Sequence, residues 1–164
     1  MSAAWPVILA ALVAVLAAVA AAWWWSNDRA HRWEGAEAEI REAYPELVSA
    51  REGGRGWKGL PCVSADPEPG QVAKIRCADG DTGVSVAKYT SAAERDKGLP
   101  GRDDAVALGS GACMINSFQV PGVSPPAFVM APVDKVEYRV LINGADAEAQ
   151  RLELPLCAAG DAEQ

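Results

Sequence analysis

The sequence predicts an α+β protein: an N-terminal transmembrane helix and a juxtamembrane helix, then a two-layer domain of about six antiparallel strands with short helices on one face. Three observations carry that expectation. Residues 6–25 contain no charge and end in three tryptophans. Beyond residue 53 two successive blocks show the alternation of half-buried strands, broken by turn residues. Between and after them lie short stretches with helical spacing, one opened by a capping signature.

The uncharged run comes first. At 1.5 Å per residue, about twenty apolar residues cross the roughly 30 Å hydrocarbon core of a bilayer. Trp23, Trp24 and Trp25 sit where an interface anchor belongs, because indole favours the headgroup level. A cleaved signal peptide fits less well. Met1 to Trp5 carry no Lys or Arg, and the apolar run is longer than a typical signal core. Residues 1–26 are therefore expected to be a retained signal-anchor that contacts the lipid bilayer through residues 6–25. Ala10, Ala14, Ala18 and Ala22 recur every four residues and mark one side as a small-residue packing ridge.

Residues 27–52 are expected to form an amphipathic juxtamembrane helix. Trp33, Ala36, Ile40, Tyr44, Leu47 and Val48 fall at helical spacing, with acids early and arginines late. Pro45 should end or kink it near Tyr44. The glycines of the run Gly53, Gly54, Arg55, Gly56 then predict a flexible joint at the entrance to a domain spanning 53–157.

Within that domain, Cys62 opens a short strand and 72–77 alternates. The turn at 78–83 reverses the chain into a strand over 84–89. Ser91 and Glu94 match the S-x-x-E capping box, so 91–97 should open a short helix. The second block offers strands over 113–120, 127–130 and 136–142. After it, 145–152 suits a short helix, or an edge strand if Leu152, Leu154 and Leu156 alternate. Residues 98–111 and 121–126 are expected as surface loops, and 158–164 as a disordered tail.

Cys62, Cys77, Cys113 and Cys157 form an even set without C-x-x-C spacing or partner histidines, so disulfides are their simplest use. The favoured pairing is Cys62 with Cys77, across neighbouring strands, and Cys113 with Cys157, tying the second block to the chain end. Each bridge is worth roughly 2–4 kcal/mol. Arg29, Arg32 and Arg41 after the apolar run pull the other way under the positive-inside rule, but disulfides persist outside the cytoplasm. The domain is accordingly expected to be extracytoplasmic.

Reactive constellations are sparse. A net charge of −7 without a basic cluster argues against nucleic acid. The lone His31 has no second ligand nearby, and Ser110, flanked by Gly109 and Gly111, lacks the outer glycines of G-x-S-x-G. Asp79 and Asp81 resemble the first half of a calcium loop but lack its remaining ligands, so a hairpin turn is expected. Asp103 and Asp104 are adjacent carboxylates in a polar loop, a poor frame for acid-base work. No metal, cofactor or catalytic residue is expected. Trp57 and the proline-stiffened loop with Pro121, Pro125 and Pro126 are the candidate partner contacts.

GlyTrpLysGlyLeuProCys at 56–62, IleArgCys at 75–77, Tyr-x-Ser-Ala-Ala-Glu-Arg at 89–95 and LeuProLeuCys at 154–157, behind a single hydrophobic helix, resemble uncharacterised actinobacterial single-pass envelope proteins with a small disulfide-bonded extracytoplasmic domain. The resemblance implies a scaffold facing outward and brings no catalytic residue. The functional expectation is a membrane-anchored binding or accessory protein acting by contact with an envelope protein, or by self-association. A ligand-sensing or carrier domain with a pocket is the alternative.

Overall fold

The computed structural model describes residues 4–30, 32–101, 105–111 and 113–157. The chain divides into two compact units, Met1–Arg32 and Trp33–Gln164.

The first unit holds one helix, α1 (Ala4–Ala30). Its side chains are described over 12–25, where Ala14, Ala18, Ala22 and the three tryptophans are exposed. Ala10 lies outside the residues whose side chains are described. Among the described residues no helix is long and apolar enough to cross a membrane.

The second unit is an α+β fold. Helix α2 (Gly35–Ala43) precedes strands β1 (Cys62–Ser64), β2 (Gln71–Ala78) and β3 (Thr82–Tyr89). Helix α3 (Ala92–Asp96) leads to β4 (Val106–Ser110), β5 (Cys113–Gln119), β6 (Ala127–Pro132) and β7 (Tyr138–Gly144), and α4 (Ala147–Gln150) ends in a 3-10 turn at Arg151–Glu153. All seven strands join one antiparallel sheet in the order β1-β2-β3-β7-β6-β5-β4. The two sequence blocks are thus two meanders, sealed side by side along β3 and β7.

The strand beyond the expected six is β4, which occupies part of the segment expected as a loop. Val106 and Leu108 alternate there, and Leu108 pairs with Ile115. Gly109 and Gly111 mask the pattern, but they are what the hairpin needs. Gly109 has φ +85°, and a Cβ there would collide with the Cys113 carbonyl.

One face of the sheet carries the main core. Alternation turns Ala73, Ile75 and Cys77 of β2 inward, with Val84 and Val86 of β3 and Val140 and Ile142 of β7. Ile40, Tyr44, Leu47 and Val48, spaced i, i+4, i+7, i+8, cover them. Burying a side chain such as Ile40 contributes roughly 1.5–3 kcal/mol. Ala147, Leu154 and Leu156 close the other end of the same face.

The expected juxtamembrane helix is corrected in length and place. It runs for nine residues, stopping with Tyr44 as C-cap directly before Pro45, and it packs into the sheet's core. Trp33, outside the helix, is buried and donates its indole N–H to the Ser49 carbonyl at 2.8 Å. The compact unit therefore begins at Trp33 instead of Gly53. The expected joint at 53–56 is also tied down: Gly53 N–H donates to the Cys62 carbonyl, Cys62 N–H to Gly54, and Gly56 N–H to Leu60. A Cβ on Gly56 would lie 2.8 Å from Cys62 Sγ, so this glycine serves close packing and not freedom of motion.

Both expected bridges are formed. Cys62 and Cys77 face each other in the β1–β2 register, and Cys113 at the start of β5 holds Cys157. Ser91 caps α3, its hydroxyl accepting from Glu94 N–H. Of the stretch expected as a helix over 145–152, Ala147–Gln150 is α-helical and Arg151–Glu153 a 3-10 turn, and Leu152 to Leu156 lie outside the sheet. The expected tail at 158–164 lies outside the described residues.

Candidate functional site

The second face of the sheet is unlike the first. Along β2 it presents Lys74 and Arg76; along β3, Gly83, Ser85 and Ala87; along β7, Arg139, Leu141 and Asn143. Register places Lys74 beside Ala87 and Ala87 beside Arg139, so two long cations flank a small residue on the central strand. In the next row Arg76 and the apolar Leu141 flank the small Ser85. Small side chains on β3 thus make the floor of a trough, with β2 and β7 as its walls.

Over β5 and β6 this face is closed instead, because Leu99 and Ala105 pack on Phe118, Val129 and Ala131. Of the helices expected on one face, α2 and α4 pack on the main core, whereas α3 lines the cavities of the other face, which the second small cluster also partly covers.

Arg139 is the centre of the trough. Its side chain is only 15% exposed, its guanidinium carbon lies 4.9 Å from the centre of the Tyr89 ring, and one terminal nitrogen lies 3.9 Å from Glu68 Oε2. That separation exceeds a hydrogen bond. Among the described residues its guanidinium makes no hydrogen bond at all. Glu68 is engaged elsewhere, accepting from Lys74 Nζ at 2.6 Å. The hydrogen bond from Lys74, first, and the charges of Lys74 and Arg139 hold the Glu68 carboxyl below its ordinary value against some desolvation. Gln71 bridges the end wall, donating to the Tyr89 hydroxyl at 2.9 Å and to Glu68 at 3.4 Å.

Two cavities meet at Glu68 and Arg139. One, of about 340 Å³, opens toward Tyr89, Glu94, Lys97 and Gly98, and the other, of about 70 Å³, lies over Lys74, Ser85 and Ala87. Lys97 pairs with Glu94 within α3 and its C-cap. Arg95, 8% exposed, offers a contrast. Its Nε donates to Asp96 and one terminal nitrogen to the Pro132 carbonyl, both at 2.8 Å, so its donors serve the fold.

The residues singled out by sequence fall elsewhere. Trp57 sits in a 3-10 turn, half-buried against the core, with Lys58 Nζ 4.7 Å from its ring centre. Pro121 and Pro125 are exposed and Pro126 half-buried in the loop between β5 and β6. Trp57 precedes the edge strand β1, whereas that loop adjoins the opposite end of the strand order, so the topology does not gather them into one surface. Asp79 builds a turn, its Oδ1 accepting from the N–H groups of Asp81 and Thr82, and these backbone bonds hold its carboxyl below the ordinary value. His31, Asp103 and Asp104 lie outside the described residues.

Lys74, Arg139 and Glu68 were not singled out from sequence. The alternation of Lys74 and Arg76 with Ala73, Ile75 and Cys77 shows that β2 has a charged face, but only the β3–β7 pairing brings Arg139 opposite it. No known family matches this chain, and no curated protein or solved structure matches it either.

Proposed function

We propose that this chain is a membrane-anchored extracytoplasmic protein that works by binding. The apolar stretch 6–25, with Trp23, Trp24 and Trp25 at its end, anchors it in a bilayer. The disulfide-bonded domain faces the oxidising side, and its role is contact with another envelope component, as an accessory subunit of a membrane complex. The carrying observation is that both disulfides belong to the compact unit beginning at Trp33, behind the uncharged run. Such bridges persist in oxidising compartments and are rare in the cytosol. The alanine ridge at Ala10, Ala14, Ala18 and Ala22 supports a helix partner or a second copy within the membrane.

The alternative, recognition of a small ligand, draws support from the trough around Arg139. The two readings share one architecture and differ in the occupant. Full-length chain tested by carbonate washing of membranes and by protease added outside wall-stripped cells decides the common part. The chain should stay in the carbonate pellet and its domain should be cut from outside. Release by carbonate, or a domain that survives until the membrane is opened, contradicts the reading. Purification in mild detergent then separates the occupants, since a strictly solitary monomer argues against the protein partner.

A further inference from the structure

We infer that the trough between β2 and β7 is a binding site for a small monoanion presenting a carboxylate to Arg139; this rests on the reading of the domain as a binding module and names what it binds. Four observations lead there.

The first is an unspent set of donors. A guanidinium has five N–H groups and no acceptor; that of Arg139 sits on a side chain that is 85% buried, yet none of its nitrogens is sealed from solvent, so its donors face the open trough. Arg95 in the same domain places its donors on Asp96 and the Pro132 carbonyl, and Arg139 does nothing of the kind. Stacking on Tyr89 holds the guanidinium at 4.9 Å without consuming an N–H, which leaves its flat edge available to a fork-shaped acceptor.

The second is the charge count. Lys74 is matched by Glu68 and Lys97 by Glu94. Arg139 is left with a carboxylate oxygen at 3.9 Å that already accepts from Lys74 through its other oxygen. One positive charge is therefore uncompensated at Arg139 itself, and the exposed Arg76, one row along the same face, adds a second beyond it. A monoanion balances the charge at Arg139. A dianion such as phosphate near pH 8, seated at Arg139, would set its second charge beside Glu68.

The third is room. The floor of Ser85 and Ala87 leaves space over the sheet, and the adjoining cavity of about 340 Å³ admits a body several atoms long behind the acid group. The fourth is Glu68 itself. Its approach to Arg139 shows that a carboxylate is tolerated at this edge, and makes Glu68 a competitor for an incoming acid.

The test uses full-length chain in detergent micelles with ¹⁵N-labelled arginine, following the Arg139 Nε–H resonance during titration. Four probes are added: sodium acetate, N-acetyl-trialanine, its C-terminal amide, and inorganic phosphate near pH 8. Both carboxylates should shift the resonance saturably, with dissociation constants on the order of millimolar or tighter, while the amide leaves it in place. A peptide acid about tenfold tighter than acetate marks a chain end as the natural ligand, and equal affinities mark a free small acid; each supports the assignment. In R139K, which keeps charge but loses the fork, affinity measured on the Tyr89 ring signals should fall at least about tenfold. In E68Q, affinity for acetate should rise by roughly threefold or more, a gain that misfolding cannot imitate. Absence of saturation by both carboxylates, equal response to the amide, phosphate binding tighter than acetate, or E68Q weakening the site overturns the assignment. Should the trough refuse these acids while external protease still reaches the domain, the anchored architecture stands and only this site falls.

Discussion

Removing one oxygen atom from the core should make this protein more stable. Tyr44 is 1% exposed, packs edge-on against Tyr138 with ring centres 5.7 Å apart, and has Lys135 Nζ 5.1 Å from its ring centre. Its hydroxyl has no hydrogen-bond partner among the described residues. An unpartnered buried polar group costs about 1–3 kcal/mol. Tyr44→Phe keeps the ring and deletes that cost, less a small loss of packing, so a net gain of about 1 kcal/mol is expected. For a domain of this size that raises Tm by about 3–4 °C. The substitution also has a pH signature. Burial first, then the nearby Asp134 and Tyr138, push the phenol far above its ordinary value, with Arg95 opposing weakly. A raised folded pKa means that this contribution is complete below the unfolded phenol's pKa near 10 and is lost as pH rises beyond it. The unfolded chain then ionises and the folded one does not. The loss is about 1.4 kcal/mol per pH unit, and in Y44F it vanishes. Urea unfolding with disulfides intact, followed by tryptophan fluorescence at pH 7, 10 and 11, measures both effects. Y44F less stable by 1 kcal/mol or more at pH 7, or losing stability in parallel with the parent above pH 10, refutes the reasoning.

The two bridges should differ in worth. Cys62–Cys77 closes 15 residues and Cys113–Cys157 closes 44, giving about 3 and about 4 kcal/mol in the chain-entropy model; paired serine substitutions in urea unfolding should rank them in that order. Trp33→Phe strips the Ser49 carbonyl of its indole donor and should cost about 1–3 kcal/mol in the same assay, which would also place Trp33 inside the folding unit. Gly109→Ala forces a side chain into φ +85° against the Cys113 carbonyl and should lower amide-exchange protection along β4 and β5 well before the β2–β3 pair. Glu68→Gln should remove a small acid dependence. The carboxyl is held low in the fold, so its contribution is present above the ordinary value and lost as pH falls through the depressed one. With that side chain 56% exposed, solvent screening keeps the effect within about 0.5 kcal/mol, read as Tm between pH 3 and 6.

The sequence was most readable where a signal is local. Pro45 announces the end of α2 and Ser91 with Glu94 announces the cap of α3, whereas Leu47 and Val48, helical by spacing, lie beyond the helix and still reach the core. Alternation marked β2, β3 and β7, and the cysteine arrangement anticipated both bridges. Signals failed where glycine has two meanings. Gly109 and Gly111 look like a turn yet belong to the β4–β5 hairpin, and Gly56 looks like a hinge yet permits tight packing against Cys62. The length of α2 was misjudged because Trp33 fits the helical spacing of Ala36 and Ile40 while lying outside the helix, where its indole caps the Ser49 carbonyl.

The trough was not legible from sequence for a different reason. Lys74 and Arg139 become neighbours only through two strand pairings, one of them the seam between meanders. A lone arginine in a strand gives no hint that its donors lack partners. That property appears only once every surrounding acceptor has a place, as the contrast between Arg95 and Arg139 shows.

The proposed placement of the domain on the oxidising side of a membrane rests on sulfur chemistry above all. Its most direct measurement is alkylation of intact cells with a membrane-permeant maleimide, followed by non-reducing peptide mapping by mass spectrometry. The expected result is no label on any of the four cysteines, with linked peptides joining Cys62 to Cys77 and Cys113 to Cys157. Four labelled thiols in unbroken cells would contradict it.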